Sequence, residues 1–275
     1  MNKAMLYKAA CDYTNNSPMN RVLAEKALEE RLIGMRMYEE PLIMCGRADD
    51  ALFQEFKSDS IIGAHFVTPE EWLHGAKSVI SIFMPFMDNI KKTNAEISDM
   101  PSNEWLHARI EGQEFIASLV NHLKEYIEAS GYKCIIPSMD SRFKGRTPEI
   151  SDDRAQGFYT SNWSERHAGF VCGQGTFGLS KGLISKKGIA GRYASLIVDF
   201  ELDYDKREYS DPYEYCTMCG ACIVKCPVDA ISIEDGKNHP ICSDYLDITK
   251  AKYSPRYGCG KCQVGVPCES KVPGR

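Results

Sequence analysis

The sequence predicts an α+β protein, with a layered domain over residues 1–205 followed by a small cysteine-rich domain over residues 206–275. Three observations carry this. Helical and strand-like patterns mix along the first 205 residues without a regular strand–helix–strand repeat, which favours layers of helix on sheet. Eight of the twelve cysteines fall between positions 216 and 268. The charged stretch 203–211 separates the two regions as a linker. A chain of 275 residues is long enough for one large domain and one small one.

The elements follow from periodicity and breakers. Residues 20–40 read as a helix, with Leu28, Leu32 and Met35 at helical spacing and Pro41 as its stop. Two short apolar runs, 41–46 (PLIMCG) and 78–86 (SVISIFMPF), read as buried strands. Ser102 or Asn103 caps a long helix running to Ser130. Phe115, Ile116, Leu119, Val120, Leu123 and Ile127 form its apolar stripe, and Gly131 stops it. Residues 133–136 and 193–202 are further strand candidates. No internal repeat or low-complexity segment stands out.

Hydrophobic residues make up 43% of the chain and charged residues 26%, the balance of an ordinary globular protein. No run approaches the roughly 18 apolar residues of a membrane helix, so no membrane is expected. The first sixteen residues contain Lys3, Lys8 and Asp12 and no apolar core of a secretory signal, so a cytoplasmic location is expected. The formal charge is −5, and the part after residue 205 holds 10 basic and 9 acidic residues. This balance leaves no electrostatic footprint for tight, non-specific nucleic-acid binding.

The cysteines carry the strongest signal. Cys216, Cys219, Cys222, Cys226 and Pro227 follow the pattern C-x2-C-x2-C-x3-C-P, the spacing of bacterial ferredoxins. Three thiolates at two-residue intervals wrap a loop around one cubane. The fourth points away and serves a second cubane, which needs further ligands. Cys242, Cys259, Cys262 and Cys268 supply them. The division expected is Cys216, Cys219, Cys222 and Cys268 on one [4Fe–4S] cluster, and Cys226, Cys242, Cys259 and Cys262 on the other. Cys242 stands alone and the last interval is x5, which departs from a simple ferredoxin repeat. Zinc sites and disulfides are the competing readings, and reduced cytosolic thiols count against the second.

Gly173, Gly175 and Gly178 match G-x-G-x-x-G, and Asp199 lies downstream. A dinucleotide site would need a strand before this loop and a helix after it, and neither is evident. The loop reads instead as a close approach of backbone to some other flat cofactor or substrate, or as a structural turn.

Three segments together resemble the superfamily of epoxyqueuosine reductases and reductive dehalogenases. They are the run 76–86, the block 164–180 (SERHAGFVCGQGTFGLS) and the cysteine array with its lone Cys242. The resemblance implies a nitroreductase-like α/β domain followed by a two-cluster ferredoxin-like domain, with a corrinoid such as cobalamin held between them. It also implies that Gly173, Gly175, Thr176, Phe177, Gly178, Leu179 and Ser180 line the cofactor or substrate pocket. Two departures stand out. Epoxyqueuosine reductases carry a proton-donating acid upstream of the Glu-Arg pair, and the comparable place here, Phe158 or Tyr159, holds none. The array also ends in Val-Pro-Cys268-Glu rather than the usual C-P-W-N. Both argue against a tRNA substrate.

The expected function is an iron–sulfur oxidoreductase passing single electrons through both clusters to a cofactor or substrate at the glycine loop. A ferredoxin or flavodoxin would donate the electrons. The alternatives are a non-catalytic electron carrier and an epoxyqueuosine reductase acting on tRNA. Tyr159 is the candidate proton donor, against the plainer reading of a packed tyrosine. His167 is an acid or ligand candidate, or a packed histidine. Asp140, Asp152 and Asp153 with Arg142, Lys144, Arg146 and Arg154 form a lid or a solvated loop. Lys181, Lys186, Lys187 and Arg192 either grip phosphates of a cofactor tail or face solvent. Cys11, Cys45, Cys134 and Cys172 read as small apolar side chains.

Overall fold

The apolar run at 78–86 becomes the middle of a four-stranded antiparallel sheet in the computed structural model, which describes residues 1–97, 99–145 and 160–274. The elements in chain order are α1 (Lys3–Asn16), β1 (Leu42–Arg47), α2 (Leu52–Glu55), α3 (Pro69–Trp72), β2 (Ser78–Pro85), α4 (Asp88–Glu96) and α5 (Asn103–Ala129). Then follow β3 (Cys134–Ile135), α6 (Glu165–Val171), β4 (Gly175–Phe177), β5 (Leu183–Ser185) and β6 (Gly191–Val198). The cysteine-rich end adds α7 (Ala221–Val224), β7 (Ile231–Ser232), β8 (Gly236–Lys237) and α8 (His239–Tyr253). The sheet order is β1-β2-β6-β3, and β4–β5 and β7–β8 are separate antiparallel pairs.

Every residue of β2 is buried, because both faces of the sheet are covered. Alternate residues serve different cores, as the pleat requires. Ile80, Ile82 and Met84 join Ala194, Leu196 and Val198 beneath the apolar stripe of α5. Val79 and Ile197 point the other way, into a cluster with Phe53, Phe66, Trp72 and Trp163. The expected stripe on α5 is buried in full. Ser102 caps that helix by accepting from the Trp105 N–H, and Gly131 leaves it at φ +87°.

Residues 20–40 do not form the expected helix. Short 3-10 turns occupy Pro18–Asn20, Ala24–Lys26 and Glu30–Leu32. The chain folds back so that Arg21 pairs with Arg36, the Val22 N–H donates to the Met35 carbonyl and Gly34 takes φ +79°. Asn20 fixes this turn by bonding both the N–H and the carbonyl of Tyr38. Spacing alone did not decide the matter: Leu32 is buried while Leu28 stays exposed. The helix near the N-terminus is α1, capped by Asn2.

The charged stretch 203–211 is held against the sheet domain. Asp205 pairs with Lys3 at 2.6 Å and accepts from the Cys45 N–H at 2.7 Å. The Tyr209 hydroxyl donates to the Phe170 carbonyl and accepts from the Gly175 N–H. Beyond it the cysteine-rich end docks through backbone contacts. The Phe177 N–H donates to the Pro212 carbonyl, and the Thr176 hydroxyl accepts from the Tyr215 N–H. The Ile189 and Ala190 N–H groups donate to the carbonyls of Cys268 and Glu269.

Gly188 makes the last contact possible. Its φ is +81°, and a Cβ there would stand 2.2 Å from the Glu269 carbonyl oxygen. Gly188→Ala is therefore expected to cost on the order of 2 kcal/mol through backbone strain and overpacking. Urea unfolding monitored by circular dichroism checks this, and an unchanged midpoint would mean that 268–269 does not dock there.

Candidate iron–sulfur and substrate site

Cys216, Cys219, Cys222 and Cys268 line one small cavity of about 20 Å³. Cys226, Cys242, Cys259 and Cys262 stand in the wall of a much larger one of about 680 Å³. Two local devices place the thiols. Gly220 and Gly260 follow Cys219 and Cys259 at φ +72° and +70°, and each turns the chain so that the next cysteine comes two residues later. Gly260 also lies against the Trp105 ring, where a Cβ would stand 1.8 Å from Cζ2. The Asn94 amide donates to the Cys259 carbonyl and Lys261 donates back to Asn94, so α4 holds this loop. Cys242 comes from the first turn of α8, capped by Asn238.

The donor sets suit cubanes. No group of three or more His, Cys, Asp or Glu side chains among the described residues stands close enough to hold a single metal ion. One zinc ion draws its thiolates to about 2.3 Å from a common centre, whereas a four-iron core spreads them around a larger body. Burial, then neighbouring cysteines, pushes Cys222 up to about 11 and Cys268 to about 12. Bound iron reverses that preference by ligating the thiolate. Cys45, Cys134 and Cys172 lie buried in the sheet domain, away from both sets.

The glycine loop divides between a cavity wall and the packing of the chain. Gly178, Leu179 and Ser180 border the smaller cavity beside Cys216, Cys219 and Cys222. Gly173 sits against residue 206, and Gly175 lies inside the β4–β5 pair, where a Cβ would meet the Ile184 carbonyl at 1.8 Å. Thr176 and Phe177 receive the segment that leads into Cys216. A helix precedes the loop and a strand follows within it, the reverse of a dinucleotide site. The large cavity is lined by the next stretch of chain, including Gly182, Leu183, Gly191, Arg192 and Tyr193.

Glu165 is the one carboxyl group on the wall of that cavity among the described residues. Its Oε2 accepts from the Ser195 hydroxyl, which itself accepts from the Trp163 indole N–H at 2.9 Å. Its Oε1 is closed off from solvent without a hydrogen-bond partner. Burial pushes the carboxyl up to about 7, against the pull of the Ser195 donor. Ser138 is exposed on the same wall. Glu165 therefore keeps its proton in mildly acidic solution, where an ordinary glutamate would not. Sequence reasoning quoted this residue only within a motif. An acid just inside a helix N-terminus reads as a dipole partner, and nothing local shows that the sheet closes over it.

The other candidates fall elsewhere. Tyr159, Arg146, Asp152, Asp153 and Arg154 lie outside the described residues. His167 bonds Ser164 and packs against Phe56 and Phe177; burial and then Arg166 hold it down to about 3, so it stays neutral. Asp140 pairs with Arg142, whose guanidinium lies over the Trp72 ring. Lys186 pairs with Glu208 and Lys187 with Glu39, whereas Arg192 opens onto the large cavity.

A family model described as a 4Fe-4S binding domain matches residues 212–232. Among solved structures, the chain is similar to a selenomethionine-labelled epoxyqueuosine reductase at 17% identity and a TM-score of 0.50, covering 85% of this chain and 63% of that one. An epoxyqueuosine reductase with an epoxyqueuosine-modified tRNA-Tyr stem loop matches at 17% identity and a TM-score of 0.51, over 100% of this chain and 68% of that one. The catabolic reductive dehalogenase NpRdhA, in complex with 3-bromo-4-hydroxybenzoic acid, matches at 13% identity and a TM-score of 0.53, over 85% of this chain and 30% of that one. Comparison with curated proteins finds no match. The likeness shows a shared fold, and the chain spans well under the full length of these relatives.

The Glu165 environment has a direct test. Infrared titration of the carboxyl band should show one group ionising near pH 7 that vanishes in Glu165→Gln. Ser195→Ala removes a donor to the ionised form, so it should move that ionisation higher. A raised carboxyl also links pH to stability. Its contribution is fully present below the ordinary value of 4.5 and is lost as pH rises to about 7, so Glu165→Gln should flatten stability across that window.

Proposed function

We propose that the chain is an iron–sulfur reductase whose two cysteine sets hold two [4Fe–4S] clusters and deliver electrons to a ligand in the large cavity. One observation carries the reading: the cavity of about 680 Å³ has Cys226, Cys242, Cys259 and Cys262 in one wall and Glu165 in another. That volume is the size of a ligand pocket. The clusters, when bound, supply one electron at a time at low potential. Every other part belongs to side chains of this chain.

A cluster on the first set would be the one to receive electrons, because Cys219 reaches the surface. Cys219 is exposed, and Met218 and Val224 beside it are 43% and 87% exposed, an apolar landing for a donor such as a ferredoxin or flavodoxin. Cys226 follows Cys222 by one turn of α7 and carries the chain to the second set. At the cavity, Glu165 holds a proton and Ser138 offers a hydroxyl between it and the ligand. The phenol of Tyr193, also on the wall, is spent on the Leu183 carbonyl. A reduction needs electron and proton at one place, and this wall supplies both.

The ligand we assign is a corrinoid, held by a nitroreductase-like sheet domain over residues 1–205 against the cysteine-rich domain over residues 206–275. One structural neighbour is a reductive dehalogenase whose structure suggests a mechanism for B12-dependent dehalogenation, at a TM-score of 0.51. Phe86, Trp105, Phe143 and Trp163 back the cavity and make part of its wall apolar. A pure electron carrier would have no use for a chamber of this size beside its second cysteine set. A tRNA substrate draws no support from the formal charge of −5.

Anaerobic reconstitution tests the core of this reading. The chain should take up about eight iron atoms, and Cys216→Ser or Cys242→Ser about half that number, while Cys172→Ser keeps the full load. A wild-type load of about four would remove the second cluster. Added cobalamin should shift its visible spectrum and be reduced by dithionite-treated protein, and Glu165→Gln should slow substrate protonation by roughly a hundredfold or more. In wild type, activity should fall as pH rises through about 7, since the proton is then lost from Glu165. Absence of cobalamin binding would remove the corrinoid and leave the substrate itself as the acceptor.

A further inference from the structure

We propose that Arg109 and Arg192 form an anion subsite in the large cavity, which takes a carboxylate or phosphate group of the ligand. The inference rests on the reductase reading for the identity of that ligand, and on the two guanidiniums alone for its charge.

Arg109 lies on α5 and Arg192 at the start of β6, opposite Met84 of β2. Both line the cavity. The Arg192 Nη2 reaches the Arg109 backbone carbonyl at 3.5 Å, which brings the base of one side chain to the head of the other. The Arg109 guanidinium rests 4.3 Å from the centre of the Tyr257 ring, and its Cδ packs against Gly258. Gln113, one turn further along the same face of α5, adds an amide to the wall. Neither arginine has a carboxylate partner among the described residues, although many arginines of this chain do.

Two half-buried arginines brought together on one cavity wall without a carboxylate partner among the described residues repel each other and favour an anion. Burial first, and then Arg192, lower Arg109 to about 10, still charged at neutral pH. Glu165 offers no compensation, because it keeps its own proton to about 7. Arg166 lines the same cavity, donates to the Lys181 carbonyl and has no carboxylate partner among the described residues. A planar guanidinium presents a fork of N–H donors that fits two oxygens of a carboxylate or phosphate. The pair has most of those donors unspent. The alternative employment for such charge is to balance the second cluster, and the two roles separate experimentally.

The test uses the reconstituted, anaerobic protein and maps arginine modification by phenylglyoxal with mass spectrometry. Inorganic phosphate or malonate should slow modification of Arg109 and Arg192 by about tenfold, the effect of a single good contact. Arg192→Gln should abolish that protection at Arg109 while the iron content stays at the wild-type value, which also shows that the variant is folded. Cobalamin and cobinamide, which lacks the phosphodiester tail, then identify the source of the anion. Protection by cobalamin alone assigns the group to a corrinoid tail. Protection by phosphate and malonate, with neither corrinoid protecting, assigns it to the substrate. Modification rates unchanged by either anion overturn the subsite. So does a shift in cluster reduction potential in Arg109→Gln and Arg192→Gln with anion protection intact, which would make the pair a counter-charge to the cluster. Protection in a protein that never reduces an acceptor would leave the subsite standing and remove only the reductase reading.

Discussion

Backbone-to-backbone docking of the cysteine-rich end onto the sheet domain is the constraint on which the rest depends. Seven thiols spread from Cys219 to Cys268 cannot hold their places through their own packing, because α7 and the β7–β8 pair are too short to make a core. They borrow one. The chain before Cys216 is fixed at Thr176 and Phe177, and the chain at Cys268 is fixed at Ile189 and Ala190. The loop carrying Cys259 and Cys262 is fixed by Asn94 and Trp105. Each contact needs backbone to approach backbone or a ring, and each falls at a glycine or beside one. Close approach is therefore one reason that the block 173–191 carries glycines, at Gly175 and Gly188 above all.

That docking also explains why the large cavity exists. The sheet region presents α5, β6 and the start of α6 to the cysteine-rich end, with direct contacts at Asn94, Trp105, Thr176 and Ile189. Between them remains a chamber with flat rings, arginines and a single carboxyl on the sheet side and four cysteines on the other. A cavity at such a junction is where small ligands are usually held. Its chemistry comes from two sources that neither domain has alone.

Much of the fold was legible in the sequence, and the exceptions share a cause. β1, β2, β6 and α5 were readable because each has a strong period and a clear breaker, such as Gly131 after α5. The stretch 20–40 misled because Leu28, Leu32 and Met35 keep a helical spacing while Asn20 and Gly34 enforce a return of the chain. Side-chain-to-backbone bonds across eighteen residues leave no mark on a local pattern. The run from Cys216 to Cys226 was visible because ligand spacing is a local property of a loop, whereas Cys242 and Cys268 join their sets from a distance. Arg192 was visible as one of a basic group after the glycine loop, but its neighbour Arg109 and the acid Glu165 were not, because the three come from different elements.

The last step concerns charge. On the proposed reading, a cluster on the second set would gain negative charge on the same cavity as a carboxyl that burial holds up to about 7. Through an effective dielectric of about 20, a unit charge within about 12 Å is worth one pK unit or more. Reduction would then tighten the hold of Glu165 on its proton, until a reduced ligand became the stronger base. The arginines work in the opposite sense, since they stabilise negative charge on whatever occupies the cavity. A site with the carboxyl alone would hold its proton too well, and one with the arginines alone would have no proton to give. Their opposition in one cavity is what would couple electron transfer to protonation in the proposed reductase, and it would follow from the placement of three side chains on α5, α6 and β6.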